Sequence, residues 1–110
     1  MDNTEGLRLK IYISESDRTN SGIPVYEWII RAAHEHGLAG ATALRGFQGY
    51  GAHHHIHTAK ILQLSIDLPV IIEIVDYKEK IERFIPTVDE IITEGMMTLE
   101  KVDIRFHRRV

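Results

Sequence analysis

Residues 68–76 read LPVIIEIVD. Val70 to Val75 is dense in β-branched side chains, which are stiff at χ1 and pack well on a pleated surface, so the run is read as a central strand. Alternation sets Glu73 on one face with Ile71 and Val75, and places Ile72 and Ile74 on the other. An unpaired buried carboxylate is rare, and no partner for Glu73 is evident along the chain. Its face is therefore expected to meet solvent or an interface.

Downstream, Asp76 with Glu79 three positions later makes a capping-box-like start. Ile81, Phe84, Ile85, Val88, Ile91 and Ile92 then keep helical spacing as far as Gly95. Pro86 lies inside this run, where it removes a backbone hydrogen bond. A bent helix is expected, with two shorter helices as the alternative. Leu99, Val102, Ile104 and Phe106 support a last strand before the basic end His107, Arg108, Arg109. Upstream, Leu7, Leu9, Ile11 and Ile13 alternate with Arg8, Lys10 and Tyr12, the period of a strand with one buried face. After the polar run SESDRTNSG, Pro24 suits a first helical turn. Val25, Trp28, Ile29, Ala32 and Ala33 carry that helix to Gly37, a natural C′ residue. Trp28 and Phe84 are assigned to the core. Ala41 to Leu44 is a short second strand. The order β-α-β-β-α-β is the ferredoxin-like split motif, an α+β sandwich in which two helices cover one face of a four-stranded antiparallel sheet.

With 110 residues, 44% of them hydrophobic, residues 1–110 are read as one domain with its own core. The net charge of -3 supplies no positive field, so nucleic acid is not an expected partner. The absence of cysteine excludes disulfides, thiolate catalysis and cysteine-based metal sites. The opening MDNTEG has no apolar h-region, and no run approaches the ~18–20 apolar residues that cross a bilayer. A cytoplasmic protein that is not itself a membrane protein is expected.

This assignment leaves a connection from Arg45 to Pro69, longer than the ~12–15 residues usual in compact domains, and long connections are often functional. Ile56, Ala59, Ile61, Leu62 and Leu64 are apolar enough for a strand extension or hairpin arm, which makes Gly46 to His55 the mobile part. Two chemistries compete within it. His53, His55 and His57 share one face if the segment is a strand, and imidazoles suit zinc, copper or nickel. That reading makes the chain a histidine-based metal-binding protein or a metal-assisted hydrolase. The plain alternative is solvated loop histidines, since no nearby Asp, Glu or Cys completes a ligand set. Gly46, Gly49 and Gly51 beside Arg45 let the backbone turn N–H groups towards an anion, with a guanidinium alongside. Equally, these glycines merely permit turns or a bulge. The polar loop Ser14 to Gly22, with Glu15, Asp17 and Arg18, is read as a solvated connection, with the supply of side chains to a cleft as the alternative. No nucleophile with a base beside it, no carboxylate pair and no catalytic signature is evident, so an enzyme is not expected.

The segments SESDR, PVYEWI, HGLAGATALRGFQGYGA, IHTAKIL, LPVIIEIVD and KIERFIPTVDEIITEG resemble the family called domain of unknown function 190, uncharacterised proteins that are similar to the PII signal-transduction proteins. The resemblance runs from Leu7 to Phe106. It implies a ferredoxin-like fold, a homotrimer, and a connection over 45–69 that resembles the PII T-loop. In PII proteins that loop contacts a partner transporter or enzyme, and adenine nucleotides bind in clefts between subunits. By position, Gly46, Phe47 and Gly49 resemble the glycine segment lining that cleft, with Arg45 at the place of a lysine. His57 and Thr58 match the family's own IHTA segment. Arg105, with His107 and Arg108, is a further cationic candidate at the end of the last strand. Where PII proteins carry a second phosphate loop rich in glycine and lysine, this chain reads TEGMMTLEKV, with one of each. The tyrosine modified in some PII T-loops has no clear equivalent between Gly51 and Leu68. Fewer phosphate contacts are therefore expected, with either weaker binding than in PII proteins or a preference for a ligand with fewer phosphates, such as AMP over ATP.

Overall fold

The structure is a computed structural model that describes residues 4–51, 56–58 and 67–108. Strand β1 (Glu5–Ser14) is followed by helix α1 (Val25–Glu35), strand β2 (Ala41–Arg45), the two-residue strands β3 (Gln48–Gly49) and β4 (His57–Thr58), strand β5 (Pro69–Tyr77), helix α2 (Lys78–Ile91) and strand β6 (Met96–Asp103). The main sheet has the order β2-β5-β1-β6, with every pair antiparallel. Set aside the small β3–β4 ribbon, and this is the expected βαββαβ sandwich. Among the described residues, no helix is long and apolar enough to cross a membrane.

Period-two patterning explains the core. Leu7, Leu9, Ile11 and Ile13 of β1 and Val70, Ile72 and Ile74 of β5 point to the same side of the sheet. There they pack against Val25, Ile29, Ala32 and Ala33 of α1 and Ile81, Phe84 and Val88 of α2. Fully burying each of the larger side chains contributes about 1.5–3 kcal/mol relative to exposure. Phe84 lies in the core as expected, whereas Trp28 is only partly buried and packs against its margin.

Several boundaries differ from expectation, each for a local reason. Pro24 is the N-cap of α1 and not its first helical residue. At the other end of α1, Gly37 (φ 71°) donates to the His34 carbonyl and Leu38 to the Ala33 carbonyl, the paired closure for which a C′ glycine is suited. Helix α2 is continuous through Pro86 and stops at Ile91. Glu82, whose carbonyl loses its partner to the proline ring, is exposed on that helix. Asp76 does not cap α2, because Tyr77 holds that position without a side-chain bond. Instead Asp76, 3% exposed, accepts hydrogen bonds from the Ala39 N–H (2.9 Å) and the Tyr77 N–H (2.6 Å). Lys80 lies 3.7 Å away and donates to the Gly37 carbonyl (2.7 Å), so the carboxylate ties the α1–β2 turn to the start of α2. The last strand begins at Met96 and ends at Asp103, where its partner β1 runs out at Glu5.

Candidate functional site

Three chain segments meet at one end of the sheet: the loop leaving β1, the residues leaving β2 and the entry to β5. The register pairs Ser14 with Pro69 and Arg45 with Val70, so the fold itself brings them together. The Glu15 N–H donates to the Leu68 carbonyl and the Gly46 N–H to the Pro69 carbonyl, both at 2.8 Å. The Arg45 guanidinium forms an ion pair with the Glu15 carboxylate. Arg18 donates to the main-chain carbonyls of Glu15 (3.0 Å) and Asp17 (3.2 Å). Asp67 accepts from the hydroxyls of both Ser14 and Ser16. The loop with Glu15 and Arg18 thus lies beside Arg45, in keeping with the alternative that it supplies side chains to a cleft, and Asp67 is a member that sequence spacing did not single out. A strand pairing that joins residues 15 and 68 has no local sequence signal.

The glycines have a packing role here. A Cβ on Gly46 would lie 2.9 Å from the Pro69 ring, close enough to force a shift, and one on Gly49 would be tight at 3.1 Å, where the chain folds back over that proline. Gly46 and Gly49, within the segment expected to be mobile, lie against Pro69 of β5. Because the Gly46 N–H is already bonded to Pro69, it is not a free donor for an anion. A Cβ on Gly51 would meet nothing within 4 Å. Phe47, Tyr50 and Ile56 are exposed, an apolar group on the long connection. His57 and Thr58 contribute main-chain pairing to Gly49 and Gln48. The expectations for His53 and His55, and for a strand extension or hairpin arm through Ala59, Ile61, Leu62 and Leu64, lie outside the described residues. No cluster of three metal-ligating side chains is present among the described ones.

Arg105 is not brought to this group within one chain. It follows Asp103, which pairs with Glu5, whereas Arg45 sits level with the other end of β1. Nine residue steps at ~3.3 Å put roughly 30 Å between those ends. Arg105 instead bonds Asp103 at 3.0 Å, and the Arg108 guanidinium lies 4.4 Å from the centre of the Phe106 ring.

The chain matches the DUF190 family, described as an uncharacterized ACR, over residues 6–104. A UPF0166 protein of Aquifex aeolicus is 41% identical over 96 residues, covering 87% of this chain and 90% of its own. A UPF0166 protein of Methanocaldococcus jannaschii is 39% identical over 84 residues, 76% of either chain. Among solved structures, CPII, a nitrogen regulatory PII-like protein from Thiomonas intermedia bound to ADP, AMP and bicarbonate, superposes with a TM-score of 0.59 at 16% identity, over 91% of this chain and 88% of that one. The divalent ion tolerance protein CutA1 of Ehrlichia chaffeensis gives 0.57 at 11% identity, over 97% and 88%. At such identities the likeness is one of fold.

Proposed function

The chain belongs to the DUF190 family, and on that premise we propose that it is a PII-like signalling protein, a homotrimer that binds a small anionic effector in clefts between subunits and engages a partner protein through the connection over 45–69. The observation that carries this reading is the placement of Arg45 at the root of that connection, with Arg18 on the same loop cluster. Two guanidiniums suit phosphate or carboxylate through directed, charge-assisted bonds. The fold shared with CPII, whose structure holds ADP, AMP and bicarbonate, favours an adenine nucleotide as the effector. Arg105 can join such a site only from a neighbouring subunit, which agrees with a cleft between copies. The exposed Phe47, Tyr50 and Ile56 are the apolar surface by which a transporter or enzyme would be engaged.

Calorimetric titration of AMP, ADP, ATP, cyclic AMP and bicarbonate tests the effector. One charge-assisted contact is worth ~1.5–3 kcal/mol, so Arg45→Ala should weaken binding by roughly ten- to a hundredfold. No binding to wild type at millimolar concentration, or equal binding by the variant, overturns the assignment. Native mass spectrometry should report three subunits. A retained metal ion, lost on replacing His53, His55 and His57, would favour the metal reading instead.

A further inference from the structure

We infer that Glu15 is an internal stand-in for the effector: its carboxylate occupies Arg45 and holds the root of the long connection until an incoming anion takes the guanidinium away. This rests on the reading of Arg45 as the anion-binding residue. The contacts form a closed circuit. Glu15 is bonded through its N–H to Leu68, Leu68 precedes Pro69, Pro69 accepts from Gly46, and the Arg45–Glu15 pair closes the ring. The two side chains are unequal, with Glu15 16% exposed and Arg45 59% exposed. One carboxylate oxygen of Glu15 holds Arg45. The other is buried with no hydrogen-bond partner among the described residues.

That asymmetry makes the contact exchangeable. A carboxylate with an orphaned oxygen is held less well than one bonded through both, because the orphan has lost water without a replacement. The exposed guanidinium can be approached by a solvent-borne anion, and Glu15, once released, regains water. The local charges act in the same direction. Arg18 is engaged by the main-chain carbonyls of Glu15 and Asp17, and Arg45 by the Glu15 carboxylate, so an anion that reaches Arg45 finds that cation already neutralised. A protein whose binding-competent form is only part of its population binds with an affinity reduced by that fraction. For a pair this exposed the reduction is roughly two- to fivefold. When the pair opens, the circuit loses one of its closures, which transmits occupancy of the site to Gly46 and Pro69.

The test uses Glu15→Gln, which removes the charge, and Glu15→Asp, which keeps it but is one methylene too short to reach Arg45. Both should bind AMP and ADP roughly two- to fivefold more tightly than wild type in calorimetry. In nucleotide-free protein, both should exchange the Gly46 amide hydrogen several-fold faster. A gain confined to Glu15→Gln would mean that long-range charge acts and the contact does not, overturning the inference, as would unchanged exchange at Gly46. Should wild type bind no adenine nucleotide at millimolar concentration, the proposed effector falls. The Gly46 exchange rate then decides whether Glu15 holds the connection at all: faster exchange supports that hold, and an unchanged rate removes it.

Discussion

Strands β1 and β5 present two faces built from the same backbone with opposite chemistry. On the helix-covered side Leu9, Ile11, Ile72 and Ile74 are all at 0% exposure. On the other side the intervening residues are Arg8, Lys10, Tyr12, Ile71, Glu73 and Val75, half-buried or exposed. There Arg8 lies 3.4 Å from Glu73 and 3.8 Å from Glu100, and Lys10 lies 3.6 Å from Glu100. The covered face is closed to water and has one way to pack. The open face keeps charges and apolar side chains together, which suits a surface that meets another subunit. One face specifies the fold, and the other is free to serve assembly.

The contrast is broken most directly from the covered side. Phe84→Ala empties the largest fully buried side chain and should cost about 3–5 kcal/mol, much of the stability of a domain this size. Urea unfolding measures it, and a loss under ~1 kcal/mol would mean that the covered face does not hold the molecule together. Gly95→Ala should follow at roughly 2–3 kcal/mol. Gly95 has φ 138°, and its added Cβ would lie 2.5 Å from the Tyr12 carbonyl oxygen, so the chain could not enter β6 beside β1 without shifting. Wild-type melting behaviour in that variant would remove the claim.

Tyr12→Glu probes the other side. Tyr12 pairs with Ile71 on β5 and Met96 on β6, and it is exposed. In the single chain the substitution should cost less than ~1 kcal/mol, as surface changes do. In the proposed trimer, if this face is the interface, it buries one added carboxylate per subunit. Sedimentation should therefore show a folded monomer, and an intact trimer would mean that this face is not the interface.

The same contrast explains what the sequence made legible. Alternation in residues 7–13 and 70–75 and helical spacing in 81–91 report directly on which side chains leave water, so the sheet, both helices and their order were readable. Positions fixed by one contact across the fold were not. Asp76 looks like a helix cap because Glu79 follows at the right spacing, yet it is bound by the Ala39 N–H, 37 residues away. Arg45 stood out by its glycine neighbours and Glu15 by its polar loop, but nothing in the sequence joined the two, 30 residues apart, until β1, β2 and β5 were in register. The glycines at 46 and 49 were visible, but their use against Pro69 depends on a fold-back that spacing does not encode.

The smallest effect separates the two faces most finely. Glu73→Gln removes one carboxylate from the open face and leaves Arg8 with Glu100. The side chains of Arg8 and Glu73 are each 35% exposed, so solvent and salt screen the pair, and the loss in a single chain should stay below ~1 kcal/mol and shrink at high salt. If assembly covers this face, the same charge removal leaves Arg8 less compensated away from water, where breaking an ion pair costs up to ~3–5 kcal/mol. The measurement is a comparison of Glu73→Gln made alone and in the Tyr12→Glu background, both followed by urea unfolding at one protein concentration. A larger loss in the assembling background than in the monomeric one ties the charge network to the interface. Equal small losses in both would mean that the open face stays in water and that the two faces differ in chemistry without differing in use.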